Sequence, residues 1–306
     1  EESPWSRTRA FVPPLRSRWE VLPPSPAAPG ASPAGLLPDV HTAMLRFCAA
    51  RGDIFAVLAL PATHREDEAL AHAAVLDARL GTGSPETGDA GGRVLSFGAL
   101  YHPWTVVPAQ DAGGRVRAVP PEGAMCGMLA QRALSAGAWA VAANRPAAGV
   151  VALQPKLEED ARARFFGRRV NALAPFPEGF LTWSEETLSD DPELVGIGVR
   201  RLLILLRRLA LREGNRYVFQ PNSGAFQRLV QRQFETLLAD LFARGAFAGA
   251  RPDEGYLVVA GPAVNPTESM ERGRFIVELR VAPSRPLHFL TVRLVQTGAG
   301  LSVAEA

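Results

Sequence analysis

The sequence predicts an α/β domain with a largely parallel sheet, followed by an α+β domain and preceded by an extended proline-rich arm. Three observations carry this. Its 306 residues supply chain for about two domains. An apolar run, an amphipathic helix and a second apolar run follow one another between residues 54 and 100, the βαβ pattern of a parallel sheet. After residue 190 the texture changes to two long amphipathic helices and then a series of strands. The resulting division is an arm over 1–38, an α/β domain over 39–189 and an α+β domain over 190–306.

The arm holds nine of the 26 prolines, among them Pro13-Pro14 and Pro23-Pro24, which bar regular helix and central strand. Trp5, Phe11, Trp19 and Val21 suit a segment that packs on a surface. Asp39 is the expected N-cap of a helix to about Ala50. The Arg51-Gly-Asp53 tripeptide reads as that helix's glycine stop. Ile54–Leu60 suits a strand buried on both faces. Helix 65–80 places Ala69, Leu70, Ala73, Val75, Leu76 and Leu80 on one broad stripe, and a second strand is expected over 93–100.

Pro120-Pro121 opens a helix ending near Gly137, and Val150–Leu153 reads as a strand. A helix around 157–167 and apolar stretches at 170–175 and 179–183 follow. The last third begins with a helix over 194–213 and a strand over Arg216–Phe219. Asn222 then caps a helix with Phe226, Leu229, Val230, Phe234, Leu237, Leu238, Leu241 and Phe242 at 3.6-residue spacing, stopped by Gly245. Strands near 255–260, 274–282 and 286–296 complete the chain, with Phe275, Val277, Leu279 and Val281 on one face.

The formal charge of +2 favours neither nucleic acid nor a membrane surface. Lys156 is the only lysine, a bias that genome composition alone can produce and that carries no functional weight. The longest purely aliphatic run, Leu202–Leu206, is far short of the roughly 20 residues of a membrane span. With no signal-peptide pattern at Glu1, the reading is a soluble, processed or partial chain. Cys48 and Cys126 cannot build a disulfide framework or a four-cysteine zinc site, and read as two buried free thiols in a reducing compartment.

No phosphate-binding glycine motif and no nucleophile elbow occurs. The histidines 41, 64, 72, 102 and 288 lack metal-ligand spacing. No catalytic, cofactor or metal site is therefore expected. The enzyme alternative centres on Asp53, His102 and Trp104 at strand ends, with a structural reading favoured for His102. Arg200, Arg201, Arg207 and Arg208 share one helix face, which reads as a solvated face or a docking surface.

Six segments in order carry a family resemblance. They are Ala118-Val-Pro-Pro-Glu-Gly-Ala124 with Gly127 and Gly137-Ala-Trp139; Ala142-Ala-Asn144 with Gly149-Val-Val151; Thr182-Trp-Ser184 with Thr187-Leu-Ser189; Val199-Arg-Arg-Leu202; Tyr217-Val-Phe-Gln-Pro-Asn222; and Gly273-Arg-Phe-Ile-Val-Glu278 with Val281-Ala-Pro283. Together they resemble the tail sheath proteins of contractile phages and phage-tail-like injection systems. The family's Pro-Gly-Val-Tyr stretch is absent here.

The resemblance implies a non-enzymatic structural subunit without cofactors. It implies self-assembly into six-fold rings around an inner tube, with baseplate and cap proteins as further partners and no nucleic-acid or membrane contact. It implies assembly in the cytoplasm into a phage-tail-like particle whose contraction drives the tube through an envelope; a sheath-like cap or adaptor fits the same motifs. Tube- or neighbour-contacting residues are expected at Arg200, Arg201, Arg207 and Arg208 and at Asn265, Glu271 and Arg272. A strand-exchange tail is expected around Gly298, Leu301 and Val303.

Overall fold

The computed structural model describes residues 33–81, 92–109, 115–158, 160–165, 167–217, 220, 222–283, 290–297 and 300–305. Residues 37–306 form one compact unit, distinct from 1–36. The arm expected over 1–38 lies outside the described residues up to 32. Its last residues are helical, because α1 runs Pro33–Arg51 rather than from Asp39. Pro33 stands at the first helical position, where its missing N–H costs nothing, and Pro38 forfeits only one hydrogen bond. Gly52, at φ 67°, stops the helix as expected.

Strand β1 (Ala56–Ala59), helix α2 (Glu66–Leu80), the short α3 (Gly92–Leu95) and β2 (Gly98–His102) make the expected βαβ unit. β1 and β2 pair in parallel, Ala56 opposite Gly98. The second strand begins later than residue 93, since Ser96 and Phe97 turn back onto the carbonyls of Arg93 and Val94.

A second sheet was not foreseen. β3 (Trp104–Pro108) and β4 (Val116–Val119) pair antiparallel, and after α4 (Glu122–Ser135) the strand β5 (Ala152–Gln154) adds to the other side of β3. After α5 (Ala161–Phe165), β6 (Val170–Phe176) joins β2 in parallel. β7 (Gly179–Thr182) then returns antiparallel, giving the order β1-β2-β6-β7. Every residue of β2 is buried, as a central strand requires.

The last third is a four-stranded antiparallel meander covered by two helices, α6 (Ile197–Gly214) and α7 (Gly224–Ala243). Arg216 and Tyr217 lie in a turn instead of the expected strand, and residues 218 and 219 lie outside the described set. α7 is capped by Ser223, whose hydroxyl accepts from the Phe226 N–H at 3.2 Å. Asn222, the expected cap, instead accepts from Gln227 and donates to the Arg274 carbonyl.

The short α8 (Pro252–Gly255) leads into β8 (Tyr256–Val259), and α9 (Thr267–Glu271) into β9 (Phe275–Val281). Strands β10 (Leu290–Thr297) and β11 (Gly300–Glu305) complete the order β8-β9-β10-β11. Phe275, Val277, Leu279 and Val281 are buried on the expected face. They meet Phe226, Val230, Phe234, Leu238 and Leu241 of α7, each of which contributes on the order of 1.5–3 kcal/mol by leaving water.

Candidate functional site

The arginine face of α6 is graded from buried to exposed. Arg200 has no exposed surface. Its Nη1 donates to both carboxylate oxygens of Glu305, at 2.9 and 2.7 Å, and its guanidinium carbon lies 4.2 Å from the centre of the Phe97 ring. Among the described residues its Nε and Nη2 have no hydrogen-bond partner. Arg207, two turns on, donates to the Val303 carbonyl, and Arg93 of α3 donates to the Glu305 carbonyl at 2.6 Å. Three guanidinium groups from two helices therefore converge on the terminal strand β11.

Two glycines make room for this arrangement. At Gly52, with its positive φ, a Cβ would stand 2.8 Å from Arg207 Nε. At Gly214, a Cβ would stand 2.6 Å from a Leu301 methyl, so a side chain there would require Leu301 to shift.

Arg201 faces a different neighbourhood. It donates to the Leu129 carbonyl of α4 at 2.9 Å, and burial lowers its pKa against the opposing charges of Glu185, Tyr101 and Cys126. Burial also raises Glu185, although the amides of Ala142 and Ala143 donate to its carboxylate. Arg208 alone of the four is exposed.

The loop after β8 is equally divided. Asn265 is fully buried: its amide donates to the carbonyls of Ala260 and Ile276, at 2.8 and 2.7 Å, and accepts from the Ile276 N–H at 2.7 Å. It pairs with Ile276 much as a strand residue would and presents nothing outward. Glu271 and Arg272 are exposed, and Arg272 forms an ion pair with Glu268 one turn earlier at 2.6 Å. Surface placement is thus corrected for Arg200 and Asn265, whose polar groups are used internally. Leu301 and Val303 line the inner face of β11, and Gly298 lies outside the described residues.

The residues of the enzyme alternative are dispersed among packing, an ion pair and a main-chain bond. His102 is fully buried against Phe165, with no hydrogen-bond partner on either ring nitrogen among the described residues. Burial lowers its pKa to about 4 against the opposing pull of Glu66 and Glu68. Asp53 is bound twice by Arg51, and Trp104 donates to the Leu60 carbonyl. A contact the sequence did not suggest is His41 Nδ1 to His72 Nε2, 2.9 Å apart and buried between α1 and α2. Cys48 is buried as expected, whereas Cys126 is exposed on α4. Among the described residues no three His, Cys, Asp or Glu are placed to hold a metal ion, and no helix is long and apolar enough to cross a membrane.

No protein-family model matches the sequence, and no curated protein matches it. Solved structures do. One chain is from the PVC extracellular contractile injection system, a sheath complex in the contracted state; it aligns with a TM-score of 0.66 at 24% identity, over 80% of this chain and 65% of its own. The fold is that of contractile sheath proteins. A chain of the anti-feeding prophage baseplate aligns at TM-score 0.58 and 25% identity, over 76% of this chain and 65% of its own. The contracted helical sheath of the same particle aligns at TM-score 0.58 and 24% identity, over 81% and 71%. The present chain therefore spans about two thirds of the length of these sheath-fold chains.

Proposed function

We propose that this chain is a structural subunit of a contractile sheath, which polymerises with copies of itself around an inner tube and drives that tube through a target envelope by contracting. The observation that carries the reading is the fold, shared with contracted sheath chains over four fifths of its length. Catalysis is not part of the reading: contraction draws on the difference in contact energy between two lattice states, multiplied over many subunits.

The finer parts of the proposal follow from it. The α/β domain over 39–189 and the α+β domain over 190–306 are the two sheath domains; the meander has its own hydrophobic cluster, while α6 also reaches across the division, with Ile197 and Ile204 packed into the clusters of the α/β part. The proline-rich arm and the β11 segment around Gly298, Leu301 and Val303 are the links to neighbouring subunits, by strand addition at sheet edges. Arg208, Glu271 and Arg272 are the exposed members of the tube- or neighbour-contacting set. Baseplate and cap proteins are further partners, and assembly takes place in the cytoplasm.

A second reading, a sheath-fold adaptor in the baseplate, is favoured by the likeness to a baseplate chain at 25% identity. Negative-stain electron microscopy of particles made with the neighbouring genes separates the two. Striated tubes containing this protein along their length, in long and short forms, are expected of a sheath. Labelling confined to one end would identify the adaptor, and absence of any tubular particle would overturn both.

A further inference from the structure

Strand β11 presents Leu301, Val303 and Glu305 inward and Ser302 and Ala304 outward. This alternation fixes which face is inside; where along β10 the strand sits is set in part by the two-residue link between the paired Thr297 and Gly300, and otherwise by contacts made along the strand. A slip of two residues, about 6.8 Å, would keep aliphatic residues inward and preserve the pleat. Two of the arginines are blind to such a slip: Arg207 and Arg93 donate to main-chain carbonyls, which any strand supplies. Arg200 alone reads a side chain. Its guanidinium has no exposed surface and, among the described residues, no other anion bonded to it, and it lies over the Phe97 ring. Moving Glu305 away would leave a buried charge unpaired, the situation in which an ion pair specifies register.

We propose that Arg200 and Glu305 are the recognition pair that admits the terminal strand to the edge of β10 in a single register. The same pair selects the terminal strand of a second copy of this chain when subunits exchange strands, a part of the proposal that rests on the sheath reading.

Cysteine cross-linking in a Cys126→Ser background tests it. Val295 lies opposite Ser302 on the outward face, so Val295→Cys with Ser302→Cys reports the native register. Val295→Cys with Ala304→Cys reports a two-residue slip. The native pair should close and the slipped pair should not. Glu305→Gln should raise the slipped yield about tenfold, and Glu305→Asp, which keeps the charge, by no more than about twofold. Slipped yields that stay at the wild-type level in Glu305→Gln, with folding confirmed by thermal melting, would overturn the proposal. If Glu305→Gln does not fold, Arg200→Met takes its place and must raise the slipped yield as strongly.

A second arm mixes, during assembly, one protein carrying Val295→Cys with another carrying Ser302→Cys. Exchange yields an intermolecular disulfide, which Glu305→Gln on the donor strand should cut about tenfold. A mixed disulfide indifferent to Glu305 would overturn the recognition pair and leave exchange standing. Absence of any mixed disulfide, with register still dependent on Glu305, would overturn exchange and the second-copy selection while the register role holds.

Discussion

The parallel sheet and the terminal strand both enclose a polar side chain completely, yet they satisfy it in opposite ways. Asn171 on β6 uses its whole hydrogen-bonding capacity: it donates to the Leu100 and Glu186 carbonyls and accepts from the Glu186 amide and the Ser184 hydroxyl. Its partners are Leu100 in the adjacent strand and the half-buried Ser184 and Glu186 shortly after β7, so its bonds are closed within this part of the fold. Arg200 commits one nitrogen to one carboxylate on an edge strand, and two further nitrogens have no bond among the described residues. A saturated network belongs to a part of the molecule that moves as a rigid body. A single buried ion pair on a sheet edge belongs where a segment arrives, and can leave.

The contrast can be broken first at the core. Phe234→Ala should cost about 3–5 kcal/mol, by cavity formation under the meander, and lower the denaturation midpoint of the whole unit; urea unfolding followed by circular dichroism measures it. Acid acts next, on the parallel-sheet side. His41 and His72 are each held at about 4 by burial, below the usual 6.5 of an unfolded histidine. Their folded forms are therefore neutral, and the stability they contribute as a pair is complete above pH 6.5 and lost as pH falls towards 4. Melting temperatures between pH 7 and pH 4 should show this slope, and His72→Gln should flatten it.

Glu305→Gln comes third, at about 2 kcal/mol, because Arg200 keeps a weaker, neutral acceptor. Its loss should appear in hydrogen exchange as faster amides on β11, with those of β6 unchanged. If the β6 amides accelerate equally, the two regions are one cooperative unit and the contrast fails. Arg272→Ala is the smallest, within about 0.5 kcal/mol, since both members of its ion pair with Glu268 are exposed. Raising salt should weaken that pair while leaving Arg200 and Glu305 engaged.

What the sequence revealed follows the range of the interactions. Helices α2, α6 and α7 and the alternation of β9 rest on spacings within one element, and each was found within a few residues of its ends. β3 and β4 were missed because Trp104–Pro108 is flanked by prolines and its alternation is short. The arginine face was seen as a face, but its meaning was not legible: the partner of Arg200 stands 105 residues downstream, and periodicity records no distant contacts. Asn265 misled for a related reason, since a polar residue between a strand and a short helix reads as surface unless the strand it imitates is known. A polar residue repeatedly falling on an otherwise inward-facing row, as Glu305 does after Leu301 and Val303, was the available sign.

That separation also sets a timetable. Chains are synthesised at roughly 5–20 residues per second, so about 5–20 s elapse between the appearance of Arg200 and that of Glu305. Throughout that interval the guanidinium must remain hydrated. Pairing of β11 with β10 is therefore what removes it from water, and that step serves as a check that the strand carries its acid at the right place.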